Sequence, residues 1–190
     1  DGPATGAIQT VQTEFVMDIS NHFISVRDTY INESEPDQSY GVVNELLIRT
    51  KTKEELCSLL YFDLSSLATN DVISSILAVY VSRSSKSPVQ ILAITNNWTE
   101  SGANWNNMVN KLATNIMTTF TPSPTGYVYI DITPMVRRWV NEGVANHGIL
   151  LRQTGNVNTR IRSRERTGEE PRLSVNQESD GLPDYALAFT

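Results

Sequence analysis

Residues 96–107 read NNWTESGANWNN: two tryptophans, Trp98 and Trp105, in a run of Asn, Thr, Ser and Gly with a single acid, Glu100. The polar, turn-forming company marks a loop. An indole in such a loop has two uses. Its face can stay open as a stacking platform for a sugar ring. Alternatively the ring is buried with its N–H bonded to a loop carbonyl, pinning a corner of a β-sandwich.

Outward from this loop the chain reads as short strands. Upstream, DVISSILAVYVSRS (71–84) and SPVQILAITNNW (87–98) are two strands joined through SSKSP. Before them, NELLIRTKTKEELCSLLYFDLSSL (44–67) gives two more around a charged turn near residues 52–55. In TEFVMDISNHFISVRDTYI (13–31), Phe15, Met17 and Ile19 alternate with more polar neighbours, and a second run goes from Phe23 to Ile31. Downstream, MVNKLATNIMTTF (108–120) fits a short helix or irregular structure equally well. In YVYIDIT (127–133), Tyr127, Tyr129 and Asp131 share one strand face, opposite Val128, Ile130 and Ile132. TPMVRRWVNEG (133–143) is the one clear helix, with Thr133 as N-cap, Pro134 as first helical residue, Val136, Trp139 and Val140 as apolar stripe, and Gly143 as stop. Trp139 is expected in the core. HGILLRQ (147–153), VNTRIRSRER (157–166) and PRLSVN (171–176) read as closing strands, and DYALAFT (184–190) as a candidate further one. About ten short strands and one short helix near 134–142 predict an all-β fold, an antiparallel β-sandwich of jelly-roll type.

At 190 residues and 21.2 kDa, with 39% hydrophobic and 19% charged residues, the chain has the size and composition of one domain with a real core. Its net charge of -6 argues against nucleic acid and anionic membrane as partners, and no apolar run is long enough to span a bilayer. Cys57 is the only cysteine, which excludes an internal disulfide and a multi-thiolate metal site; it falls in a core strand and reads as an inert thiol. The first residue is Asp1 rather than Met, which reads as a processed form and fits secretion. His22 and His147 have no nucleophile motif beside them, and there is no glycine-rich phosphate loop, so no enzyme is expected.

Taken in order, RDTYINESEPDQSYG (27–41), LLYFDLSSL (59–67), ISSILAVYV (73–81), NNWTESGANWNN (96–107), YVYIDITPMVRRWVNEGVANHGILLR (127–152) and EPRLSV (170–175) resemble the DNRLRE domain, also described as carbohydrate-binding module family 96. The resemblance covers residues 26–176; residues 1–25 are then an arm with a leading strand, and 177–190 a C-terminal extension. It implies a β-sandwich that acts outside the cell or on its surface as a non-catalytic module, binding or adhering to polysaccharide. Because the tryptophans belong to that pattern, the resemblance favours their burial as scaffold. The segment 108–126 is longer than the pattern leads one to expect.

Three groups of residues are candidates for binding. In TRIRSRER, Arg160, Arg162, Arg164 and Arg166 alternate with Ile161, Ser163 and Glu165. On one strand their guanidinium groups would recur about every 7 Å. Such a row repels itself unless offset by an anionic ligand such as a uronate or sulfate, by acids of neighbouring strands, or by solvent at a protected sheet edge. IRTKTK repeats the pattern through Arg49, Lys51 and Lys53. Tyr127 and Tyr129 are the exposed-aromatic candidates. Asp28, Asn32 and Asp37, with Glu33 and Glu35, supply the oxygen donors of a structural calcium site, although without EF-hand spacing; no cofactor is required. The leading expectation is an extracellular module that grips an acidic polysaccharide or cell-surface glycan through the arginine face. The alternative is a structural subunit of a filament, surface layer or virion, self-assembling by strand addition through GAIQTVQTEFVMDI (6–19).

Overall fold

A computed structural model describes residues 19–51, 54–155 and 157–178. Residues 1–18 of the predicted N-terminal arm, the candidate strand at 184–190 and Lys53 lie outside the described residues.

The fold is all-β and antiparallel. Among the described residues eleven strands run as β1 (Ile19–Ile24), β2 (Arg27–Asn32), β3 (Glu45–Arg49), β4 (Leu56–Tyr61), β5 (Val72–Arg83), β6 (Val89–Ile94), β7 (Leu112–Phe120), β8 (Gly126–Asp131), β9 (Ile149–Gln153), β10 (Asn158–Arg162) and β11 (Arg172–Gln177). They are joined in the order β1-β11-β5-β10-β3-β4-β9-β6-β7, with β8 on the free edge of β5 and β2 on the free edge of β4. The sheet curls so that one half, around β5, faces the other, around β4 and β9. The main core fills the space between them with Leu77, Val79 and Val81 of β5, Leu60 of β4, Ile149 and Leu151 of β9, and Ile161 of β10.

The strands around β4 are buried on both faces, which explains their unbroken apolar runs. Alternate residues face opposite ways, so Leu60 enters the main core while Cys57 and Leu59 enter a second cluster on the outer side. That cluster is roofed by the tryptophan loop and its short helix α1 (Trp105–Met108), which contribute Trp98, Ala103 and Met108. Cys57 is buried and free, and burial pushes its thiol pKa well up.

Three elements differ from the sequence reading. The run from Phe23 to Ile31 is not one strand. It breaks at Ser25 and Val26, where the chain crosses from β11 to β4: Ser25 N–H donates to Pro171 O at 3.1 Å and Val26 N–H to Tyr61 O at 2.9 Å. Of the undecided segment 108–120, Met108 ends the short helix α1, Val109–Lys111 form one 3-10 turn, and Leu112–Phe120 become the nine-residue edge strand β7. Two register shifts against β6 interrupt its alternation, which is why periodicity did not reveal it. The helix α2 (Thr133–Val140) is where it was expected, but Ile132 holds the cap position. Asp131 supplies the capping oxygen, accepting from Thr133 N–H at 2.8 Å and from its hydroxyl at 2.6 Å. Thr133 Oγ1 in turn accepts from Ser75 N–H at 2.8 Å and ties the helix to β5. Met135 and Val136 fill the core, whereas Trp139 is only half-buried at the helix's edge.

Candidate functional site

Strand β8 pairs with the free edge of β5, and its alternate residues on the face away from the core are turned toward solvent. Tyr129 is 70% exposed. Tyr127, two residues earlier, is half-buried and locked from several sides. Its ring meets Tyr80 edge to face at 5.3 Å, and its hydroxyl donates to Gly168 O at 3.0 Å. The Arg172 guanidinium lies 5.3 Å from its centroid and is itself paired with Glu170 at 3.1 Å. Burial raises the pKa of the Tyr127 hydroxyl. The Tyr127 and Tyr129 rings are 6.2 Å apart and tilted by 32°. Together with His22, Ile24, Glu170 and Arg172 they line a cleft of about 510 Å³. Within the cleft His22 Nδ1 and Ser174 Oγ are 2.9 Å apart. Asp131, predicted on the same face, is occupied as the α2 cap.

The arginine row does not run along one strand. β10 ends at Arg162, and Ser163 begins a turn closed by Arg166 N–H donating to Ser163 O at 3.1 Å. Arg160 and Arg162 project from the strand; Arg164 and Arg166 project from the turn. Each has an acid. Glu45, directly across in β3, binds Arg160 at 2.9 Å and Arg162 at 2.8 Å and accepts from the Ser82 hydroxyl at 2.8 Å. Burial alone would raise the Glu45 pKa, but the Ser82 and arginine contacts outweigh it and leave a net lowering. Glu169 lies 2.9 Å from Arg162 and 3.5 Å from Arg166. Arg164 is 3.0 Å from Glu100 and 3.2 Å from Glu165. Acids of neighbouring segments therefore offset the row, one of the three expectations for it. β3 does neighbour β10, with Arg49 opposite Asn158; Arg49 bonds Glu54, which also holds Lys51 at 3.3 Å. The turn and the tyrosines belong to one region, because the Tyr127 hydroxyl is bonded within residues 163–170.

A third group is scaffold. Asp28 is buried, and its Oδ2 accepts from the Ser25 hydroxyl and from Arg164 N–H, both at 2.8 Å. Its own N–H donates to Glu100 Oε1 at 2.9 Å. Burial pushes the Asp28 carboxyl up to about 6, against the hydrogen bonds that lower it. Beside it Arg27 donates to Trp98 O at 2.7 Å and lies 3.9 Å over the Tyr61 ring. Trp98 is 5% exposed, and its indole N–H donates to His147 O at 2.9 Å. Trp105 is half-buried against the same outer cluster. Both tryptophans are thus built into the scaffold. Gly41 closes the node, since a Cβ there would stand 2.6 Å from Glu100 O.

The three calcium candidates are not brought together. Asp28 is engaged as described. Asn32 is bonded to Ser34 and Glu35, and Asp37 accepts from Asn106 at 2.8 Å. Among the described residues no group of three His, Cys, Asp or Glu side chains is placed to hold a metal ion. Sequence reading missed Glu45, Glu100, Glu169, His22 and Arg172. Glu45, Glu100 and His22 act through partners distant in sequence or across a strand, whereas Glu169 and Arg172 have partners two or three residues away inside a turn that alternation of charge does not reveal.

Compared with known families, residues 20–177 match the sequence model of carbohydrate-binding module family 96. No curated protein matches the chain.

Proposed function

The chain belongs to carbohydrate-binding module family 96, and we propose that it holds an acidic polysaccharide outside the cell, at the tyrosine cleft of the β1-β11-β5-β8 face. The observation that carries this reading is Tyr129, an exposed ring held beside the immobilised Tyr127. Stacking on a sugar needs an aromatic face that is open before the ligand arrives and loses little freedom when it does. His22, Ser174 and Glu170 place hydrogen-bonding groups at the rim, and Ile24, 53% exposed, adds apolar contact. The turn that accepts the Tyr127 hydroxyl also carries Arg166, half-exposed and available as a cation to the acidic groups of the glycan. Carbohydrate-binding modules retain a glycan without cleaving it, and no catalytic role is assigned.

The test is retention of the protein on a panel of immobilised neutral and acidic polysaccharides, wild type against Tyr129→Ala. Truncation of so exposed a side chain leaves stability within about 0.5 kcal/mol. Loss of retention at unchanged melting temperature is expected; retention equal to wild type would falsify the placement.

A further inference from the structure

We propose that a second cleft, at the far end of β5 and β10, is the anion subsite of this module and takes the carboxylate or sulfate groups of an acidic glycan; this deepens the polysaccharide reading above and rests on it. The cleft, of about 610 Å³, is lined by Arg49, Lys51, Arg83 and Lys86 together with Ser84 and Asn158, and no acid is among its lining residues. Four cations gather here on a chain whose net charge is -6. One carboxylate, Glu54, serves both Arg49 and Lys51. Among the described residues Arg83 and Lys86 have no ion pair, in contrast to Arg160, Arg162, Arg164 and Arg166.

The placement of Arg83 is unfavourable for the fold alone. It is the register partner of Arg160 at a bulge in the β5–β10 pairing, and like charges brought together across two strands destabilise a sheet. Glu45 neutralises Arg160. Nothing among the described residues does so for Arg83, so an external anion is the counter-charge that fits. The loop that carries Lys86 is also held in place. The buried Gln153 donates at 2.7 Å to both Ser85 Oγ and Ser87 O, and Ser85 Oγ is 2.8 Å from Thr159 Oγ1. A guanidinium and an ammonium group on a pinned rim suit a carboxylate or sulfate, with Arg83 free for a two-point contact and Lys86 acting as a point charge.

The experiment compares wild type, Arg83→Gln/Lys86→Gln and Tyr129→Ala on polygalacturonate, on the same polymer fully methyl-esterified, and on heparin, with inorganic sulfate as competitor. The expected result is that Arg83→Gln/Lys86→Gln loses at least about tenfold in affinity for polygalacturonate or heparin. The salt dependence of wild-type binding should flatten with it, while any retention on the esterified polymer persists. The proposal is overturned if wild type binds charged and esterified polymers equally or binds neither anionic polymer. It is also overturned if the double variant binds them as wild type does, or loses only inorganic sulfate while glycan retention is unchanged. An unaffected Tyr129→Ala beside a weakened double variant sinks the tyrosine site and leaves the anion subsite standing.

Discussion

Arg164 holds the buried carboxylate of Asp28 with its backbone rather than its charge: the amide N–H donates to Asp28 Oδ2 at 2.8 Å, while the guanidinium turns to Glu100. This bond joins the start of β2 to the turn after β10, two segments 136 residues apart. An arginine that reads as a ligand contact is therefore part of the frame.

Asp28 makes stability depend on pH. Its folded pKa, raised by burial to about 6, exceeds the ordinary value of 3.8, so the folded state binds the proton more tightly. The stabilisation is fully present below the unfolded pKa and is lost as pH rises through the folded one, an effect of at most about 3 kcal/mol. Asn at this position keeps an oxygen for both donors. Asp28→Asn should gain in melting temperature relative to wild type as pH rises from about 4 to about 7. A difference that stays constant across that range would count against the buried charge.

Arg164 and Arg166 should behave differently. Arg164→Ala removes the partner of a mostly buried Glu100 and a donor to Val26 O, and is expected to cost about 2 kcal/mol. Arg166, whose side chain is 54% exposed, should cost no more than about 0.5 kcal/mol. Chemical denaturation of the two variants compares them directly. Equal losses would show that the turn is not divided as described.

Trp98 is a structural probe of the family pattern. Trp98→Phe leaves the His147 carbonyl without its donor and should cost about 1–2 kcal/mol. Trp98→Ala also opens the outer cluster and should cost about 3–5 kcal/mol. If Trp98→Phe, still folded, lost glycan retention while Tyr129→Ala kept it, the two rings would have to exchange roles.

Asp131 caps α2 from outside the helix. Asp131→Ala should lower stability by about 1 kcal/mol at neutral pH. The Thr133 hydroxyl and N–H hold the Asp131 pKa below its usual value. The stabilisation is therefore present above the unfolded pKa and lost as pH falls through the folded one. Melting curves of the two proteins should converge in acid and separate above about pH 4.

Strand periodicity, turn chemistry and helix signals are local, and they made the fold class legible: YVYIDIT, TRIR and TPMVRRWV lie on the elements their patterns call for. The tryptophan loop was legible as a corner because its residues match a family pattern. The alternation in TRIRSRER was local too, but where the strand stops was not. Backbone bonding within the turn after Ser163 ends it, and alternation of charge carries no signal of that. Only the tertiary structure decided which acid meets which arginine. Glu45 is 117 residues from Arg162, and antiparallel register alone sets them opposite each other. The same holds for the two clefts. Tyr129 is open because it projects from the face of β8 turned away from the core, and among the described residues Arg83 has no acid, its register partner being another arginine. Sequence dictates the elements because propensity and periodicity act over a few residues. Pairing dictates the sites because electrostatics and burial act between residues that only the closed sheet brings together.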